Sequence, residues 1–429
     1  MHIESATSSQ LAEWEKELSA HYERICQHEL SLDITRGKPS AEQLHLSDKL
    51  DGILATDYRA ADGTDTRNYG GMTGLTCARA LGADLLQVPT EEVMAGGNSS
   101  LTLMYHAVLT GYLFGFAGNV PWRALESPKF LCPVPGYDRH FTICEQLGIR
   151  MLAIPLGKGG PDMECVEKHV SEDGDIIGIW CVPKYANPTG ITYNRETVER
   201  LAQLGQIANP GFRIFWDNAY AVHDLGPFIN LASIRAATLE NDTVDSVLQF
   251  ASTSKVTHAG SGIAFVSASS ANLDSLKLQM QAMTIGPDKV NQLRHSRFFT
   301  ECTTLEEHMH KHASILRPKF ECVLEHLQNA LGDSGMGQWE KPRGGYFVSF
   351  NTRPGCAKAV VKLAADAGVK LTPAGATFPY GNDPEDSNIR IAPSFPPLEE
   401  LDTAMSVFVL CVQLASVRQR LAQCRNASG

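Results

Sequence analysis

Apolar residues in this chain fall into two textures. From about Asn68 to Ser270, short and nearly unbroken apolar runs alternate with stretches of helical spacing. The runs 130–134, 150–155, 176–182, 212–216, 247–250 and 263–268 read as strands that are apolar on both faces. A mostly parallel sheet covered by helices on each side has this pattern. Between the strands, 194–207 and 101–116 carry the helical period.

The texture changes near Thr300. A long amphipathic run predicts a helix over Leu305–Leu331, and Gly344-Gly345-Tyr346-Phe347-Val348-Ser349-Phe350 follows it. Further strand-like pieces cover 369–372 and 388–392, and a closing helix runs from Leu398 to about Cys424. The opening segment, 9–32, places Leu11, Trp14, Leu18 and Tyr22 at helical spacing. Asp33-Ile34-Thr35-Arg36-Gly37-Lys38-Pro39 then breaks it as a loop. The expected organisation is an α/β chain in three parts. Residues 1–50 form an N-terminal helix and opening loop packed with the small domain. Residues 51–300 form a large domain on a mostly parallel sheet, and 301–429 form a smaller α+β domain.

Composition changes this picture little. Of the 429 residues, 43% are hydrophobic and 20% charged, as in ordinary globular proteins. A formal net charge of −11 leaves no cationic excess for phosphate backbones, so no nucleic-acid partner is expected. The eleven cysteines are scattered singly, without metal-ligand or disulfide spacing, and fit a reducing cytoplasm. The polar N-terminus lacks a signal-peptide core, and no run is expected to span a membrane.

The chemistry lies at the strand ends. Asn187-Pro188-Thr189-Gly190, Asp217-Asn218-Ala219-Tyr220 and Ser252-Thr253-Ser254-Lys255 each follow a strand-like run. Together they supply the parts that hold pyridoxal 5'-phosphate. Lys255 offers an amine for a Schiff base with the aldehyde. Asp217 offers an anion for the ring nitrogen, and Asn187 and Tyr220 offer donors for the ring hydroxyl. Ala95-Gly96-Gly97-Asn98-Ser99-Ser100 opens a helix and can cradle a phosphate, with Ser252 and Ser254 as further donors. The loop is neither a Walker loop nor a spaced-glycine dinucleotide motif.

With these residues in place, the chain resembles the class I aminotransferases of fold type I from about Asp33 to about Pro396. Within them it looks most like the divergent bacterial aspartate aminotransferases with a MocR-like aminotransferase domain, through Arg36-Gly37-Lys38-Pro39 and Gly96-Gly97-Asn98-Ser99-Ser100. The resemblance implies that Tyr69 reaches the phosphate of a neighbouring subunit, so a homodimer is expected. It also implies that Tyr137 stacks on the cofactor ring and that Arg390 grips the substrate α-carboxylate. Arg36, Gly37, Lys184 and Asn187 fall near the substrate. One departure stands out: residues 256–263 contain no arginine where the family usually has one for the phosphate.

The function implied is amino transfer between an amino acid and a 2-oxo acid, with aspartate and 2-oxoglutarate as the implied pair. A transaminase of other specificity, a lyase or a decarboxylase could use the same parts. A MocR-like regulator is a remote reading, because only about 30 residues precede the Arg36 loop, acidic ones such as Glu13, Glu15 and Glu17 among them, and no basic DNA-binding domain is expected to fit there. For a distal substrate carboxylate, Lys184, Arg36, Arg139, Arg294 and Arg297 all qualify by charge.

Overall fold

The computed structural model describes residues 2–427. Its strands, in chain order, are β1 (Leu32–Asp33), β2 (Val93–Ala95), β3 (Lys129–Val134), β4 (Arg150–Gly157), β5 (Gly160–Pro161), β6 (Ile176–Cys181) and β7 (Arg213–Asp217). They continue with β8 (Val247–Ser252), β9 (Ala264–Ser267), β10 (Gly337–Trp339), β11 (Val348–Thr352), β12 (Val369–Lys370) and β13 (Asn388–Ile391). The chain divides into two units. The larger covers Ala41–Ala186 and Ile191–Ala313. The smaller covers the chain up to Ser40, Asn187–Gly190, and the chain from Ser314 onward. These boundaries differ from residues 50 and 300 read from the sequence, and the four-residue excursion at Asn187 has no signature in composition.

The larger unit is built on an eight-stranded sheet in the order β2-β9-β8-β7-β6-β3-β4-β5. The pairs β3–β4, β3–β6, β6–β7 and β7–β8 are parallel. The pairs β2–β9, β8–β9 and β4–β5 are antiparallel, so the sheet is mixed at both margins. Two-sided burial explains the unbroken apolar runs. Phe130, Trp180, Phe215 and Phe250 pack into a core on one face, with Leu103, Phe141 and Leu276 from covering helices. Leu131, Ile179, Ile214 and Trp216 face a second core that includes Val166, Val198 and Leu201. This is the α/β fold that the sequence pattern implies.

In the smaller unit β10, β11 and β13 form an antiparallel sheet, and β1 pairs with β12. The opening helix, Ser8–Cys26, stops earlier than its pattern implies, because β1 forms from the residues that follow. It packs on the closing helix, Leu398–Ala427. Among the described residues, the stretch Leu398–Asn426 of that closing helix is long and apolar enough to cross a membrane, with mean hydropathy 1.5. Its apolar window is 72% buried inside the protein, which accounts for the composition without a bilayer.

Candidate active site

The parallel strands β3, β6, β7 and β8 end on one edge of the sheet, and β2, two antiparallel steps from β8, ends there too. Ligands of open α/β sheets bind beyond such carboxyl ends. The loops leaving this edge carry Ser99 and Ser100 after β2, Tyr137 after β3, Lys184 after β6, Tyr220 after β7 and Lys255 after β8. Asp217 and Ser252 are the last residues of their own strands.

Asp217 is buried, and its Oδ2 lies 3.1 Å from His140 Nε2. Its Oδ1 is also buried and has no hydrogen-bond partner among the described residues. Leaving such an acceptor unpaired costs about 1–3 kcal/mol, so the position is prepared for a donor. His140 is fixed by stacking on Trp180, with centroids 4.2 Å apart and planes at 9°. Tyr137 meets the same imidazole edge-on at 4.9 Å.

Lys255 Nζ lies 4.9 Å from the centroid of the buried Tyr220 ring. Burial pushes the Lys255 ammonium below the ordinary lysine range, and the Asp217 carboxylate opposes the shift. A lowered lysine carries more of the free amine that acts as nucleophile and base. The backbone at Lys255 is pinned from below. His223 Nε2 bonds the Lys255 carbonyl at 3.1 Å, and His308 and His312 Nε2 reach the Val256 carbonyl at 2.7 and 2.9 Å. His312 Nδ1 sits 3.0 Å from Gln43 Nε2. Burial pushes these imidazoles down, His223 and His312 to about 3, which keeps them as neutral donors.

The glycine-rich loop is tied to the lysine loop. Ser254 Oγ donates to the Asn98 carbonyl at 3.1 Å, Ser252 Oγ to Ser254 Oγ at 3.1 Å, and Asn98 Nδ2 to the Gly260 carbonyl at 3.0 Å. Ser99 is the N-cap of the helix Ser100–Leu113, and its hydroxyl makes no capping bond. The first-turn N–H groups there present the positive end of the helix dipole. In the arginine-free stretch, Asn291 Nδ2 shapes the backbone by donating to the carbonyls of Ser261 and Gly262.

The smaller unit holds Arg36, Gly37, Asn187 and Arg390, and the larger one holds Tyr69. Arg390 lies on β13 opposite Ser349 and is buried. Its Nη1 donates to Asn187 Oδ1 at 3.3 Å and its Nη2 to Thr372 Oγ1 at 3.5 Å. Its guanidinium carbon lies 5.0 Å from the centroid of the Phe347 ring. Gly37 rests on that ring: a Cβ there would fall 2.4 Å from Phe347 Cζ. Arg36, next to it, is exposed.

One family model, described as aspartate amino-transferase, matches residues 6–424. The chain belongs to the aspartate aminotransferase family. It is 43% identical over 404 residues to an aspartate aminotransferase of Corynebacterium glutamicum, covering 94% of this chain and 93% of that one. The crystal structure of an aspartate transaminase from the same species superposes with a TM-score of 0.94 at 41% identity, over 98% of this chain and 99% of that one. At 21% identity and a TM-score of 0.73, an alpha-aminoadipate aminotransferase from Thermus thermophilus, solved with N-(5'-phosphopyridoxyl)-L-leucine, shares the fold. It covers 91% of this chain, which covers 93% of it.

Within this aminotransferase, the structure gathers Ser99, Ser100, Tyr137, Asp217, Tyr220, Ser252, Ser254 and Lys255 at one sheet edge, and joins Asn187 to Arg390 in the smaller unit. Lys184, expected near the substrate, is held inside the larger unit: its ammonium donates to the Ala221 carbonyl at 2.9 Å and pairs with Asp224 Oδ2 at 3.1 Å. The Phe228 ring covers it at 4.4 Å. Its charge is neutralised inside the fold. Arg297, another of the cations considered, pairs with Asp57. The sequence reading did not find His140, His223, His308 or His312. Nothing local marks them, because their partners are backbone carbonyls or a carboxylate far away in the chain.

Proposed function

We propose that this aminotransferase holds pyridoxal 5'-phosphate on Lys255 and moves the amino group of aspartate to 2-oxoglutarate. The observation that carries the cofactor assignment is the buried Asp217 Oδ1 without a partner, at the end of the strand beside the one that leads to Lys255. A protonated ring nitrogen is the donor this acceptor lacks, and His140 fixes the carboxylate so that Oδ1 stays in place. When bound, the cofactor supplies an electron sink for the substrate Cα.

The chain's own residues do the rest. Lys255, lowered by burial, carries a proton to and from the substrate Cα as general acid and base. Tyr220 and Asn187 offer donors to the ring hydroxyl, and Tyr137 offers its ring face. Ser99, Ser100, Ser252 and Ser254, with first-turn N–H groups, bind the phosphate in place of the missing arginine. Arg390 binds the α-carboxylate through its planar fork, and Phe347 and Asn187 hold that fork in one orientation. Arg36 and Gly37 belong to the loop over the substrate. The larger unit is then the cofactor-binding domain and the smaller one the substrate-gripping domain. Aspartate is supported by the name of the 43% identical relative.

The active unit is a homodimer with two-fold symmetry. Tyr69 is 80% exposed, and the neighbouring segment presents Met283 and Ile285, also exposed. Lys289 ties the two segments together by donating to the Gly70 carbonyl at 2.6 Å. A tyrosine and two apolar side chains in one exposed place suit an isologous interface that brings in the partner subunit's Tyr69. All eleven cysteines are free, which suits a cytoplasmic setting.

Borohydride reduction of the purified protein followed by peptide mapping tests the core of this reading. Label on Lys255 is expected, and label on another lysine rejects it. Amino-donor profiling, read as oxo acid formed, should give aspartate the highest kcat/KM. A different best donor would leave the cofactor assignment intact and overturn the substrate.

A further inference from the structure

The smaller unit contains a cluster of ligating side chains that amino transfer does not use. Cys322 and His326 stand four residues apart on the helix Leu305–Leu331, so they share one face, a turn apart. Asp402, one turn into the closing helix Leu398–Ala427, meets them: His326 Nε2 lies 2.8 Å from Asp402 Oδ1. The sulfur, imidazole nitrogen and carboxylate oxygen all fall within 4.8 Å of one another. They line an open groove of about 980 Å³ between the two helices, with Glu321, Glu325 and Glu399 on its walls.

We propose that this cluster is a zinc site, with Cys322, His326 and Asp402 as ligands and a fourth position open to water or a wall carboxylate. Zinc–sulfur and zinc–nitrogen bonds of about 2.3 and 2.0 Å set tetrahedral neighbours about 3.5 Å apart, so small side-chain rotations bring the three atoms into range. A thiol and an imidazole select a borderline-soft cation over magnesium or calcium, which take oxygen ligands. The wall carboxylates add negative potential that favours a divalent cation. Two ligands come from one helix and the third from another, so the ion clips the two helices together. Zinc binding therefore stabilises the folded chain by mass action.

The test uses holoenzyme dialysed against a chelator and then titrated with zinc or cobalt(II). One equivalent should raise the thermal midpoint. Cobalt should give visible d–d bands of a tetrahedral thiolate site, lying to the red of the cofactor's absorption. Cys322→Ser and the exposed Asp402→Asn should each lose the bands and the thermal shift while keeping transaminase turnover. Asp402→Asn, on the surface, keeps the test open should Cys322→Ser fold poorly. A wild-type protein that takes up neither metal, or one whose bands and shift persist in both variants, overturns the site and leaves His326 and Asp402 as an ordinary inter-helix ion pair.

Discussion

Arg390 shows how much can hang on one missing Cβ. Its guanidinium lies over Phe347, and Phe347 in turn is covered by Gly37. Gly37→Ala drives a methyl into the ring, and overpacking of this kind costs about 1–3 kcal/mol or moves the ring. A tilted Phe347 no longer holds the guanidinium fork. The expected result is a fall of about ten-fold or more in kcat/KM for amino acids, with borohydride label on Lys255 unchanged; steady-state kinetics beside the labelling would show it, and unaltered kinetics would refute the chain of contacts. The sequence disclosed Lys255 and Asp217 because each ends a local apolar run, so pattern and chemistry coincide within a few residues. The partner of Lys184 was not legible, because Asp224 lies 40 positions on. His140 was invisible for a similar reason, its carboxylate partner being 77 positions away.

At the scale of elements, strands buried on both faces were readable to within a residue or two, as β6 and β8 show. β1 and β2 were not, because two or three residues make no periodicity. The histidines of the helix Leu305–Leu331 carry a consequence that the helical pattern alone conceals. His308 and His312 hold the Val256 carbonyl as neutral groups, and burial keeps their folded pKa values below the ordinary one. The unfolded chain binds these protons near pH 6.5, so stability is complete above that pH. It is lost as pH falls from about 6.5 toward about 3, the folded value for His312. By about pH 5 the loss is on the order of 2 kcal/mol for one such histidine. Urea unfolding between about pH 7 and about pH 5 should show it, and His312→Gln should flatten the dependence. An equally steep curve in the variant would assign the acid sensitivity elsewhere.

On the scale of the whole molecule, the α/β class and the change of texture near Thr300 were legible, whereas the return of Asn187–Gly190 to the smaller unit was not, since only tertiary contacts define it. The proposed dimer makes a prediction of its own. Subunits bearing Lys255→Ala and subunits bearing Tyr69→Ala, each impaired alone, should regain activity after mixing and exchange, because one site of the mixed dimer combines an intact Lys255 with an intact Tyr69 from the other chain. No recovery, with exchange verified by mass, would place Tyr69 outside its partner's site. The distribution of chemistry over strand ends has one more effect. Asp217 and Lys255 come from consecutive strands that pair directly, whereas Ser99 joins them only through the pairing of β2 with the distant β9, and such a pairing is slow to form because its loop-closure entropy must be met first. The phosphate cradle at Ser99 is therefore completed after the part of the site on β6, β7 and β8, and uptake of added pyridoxal 5'-phosphate during refolding should lag behind the formation of helical and sheet structure.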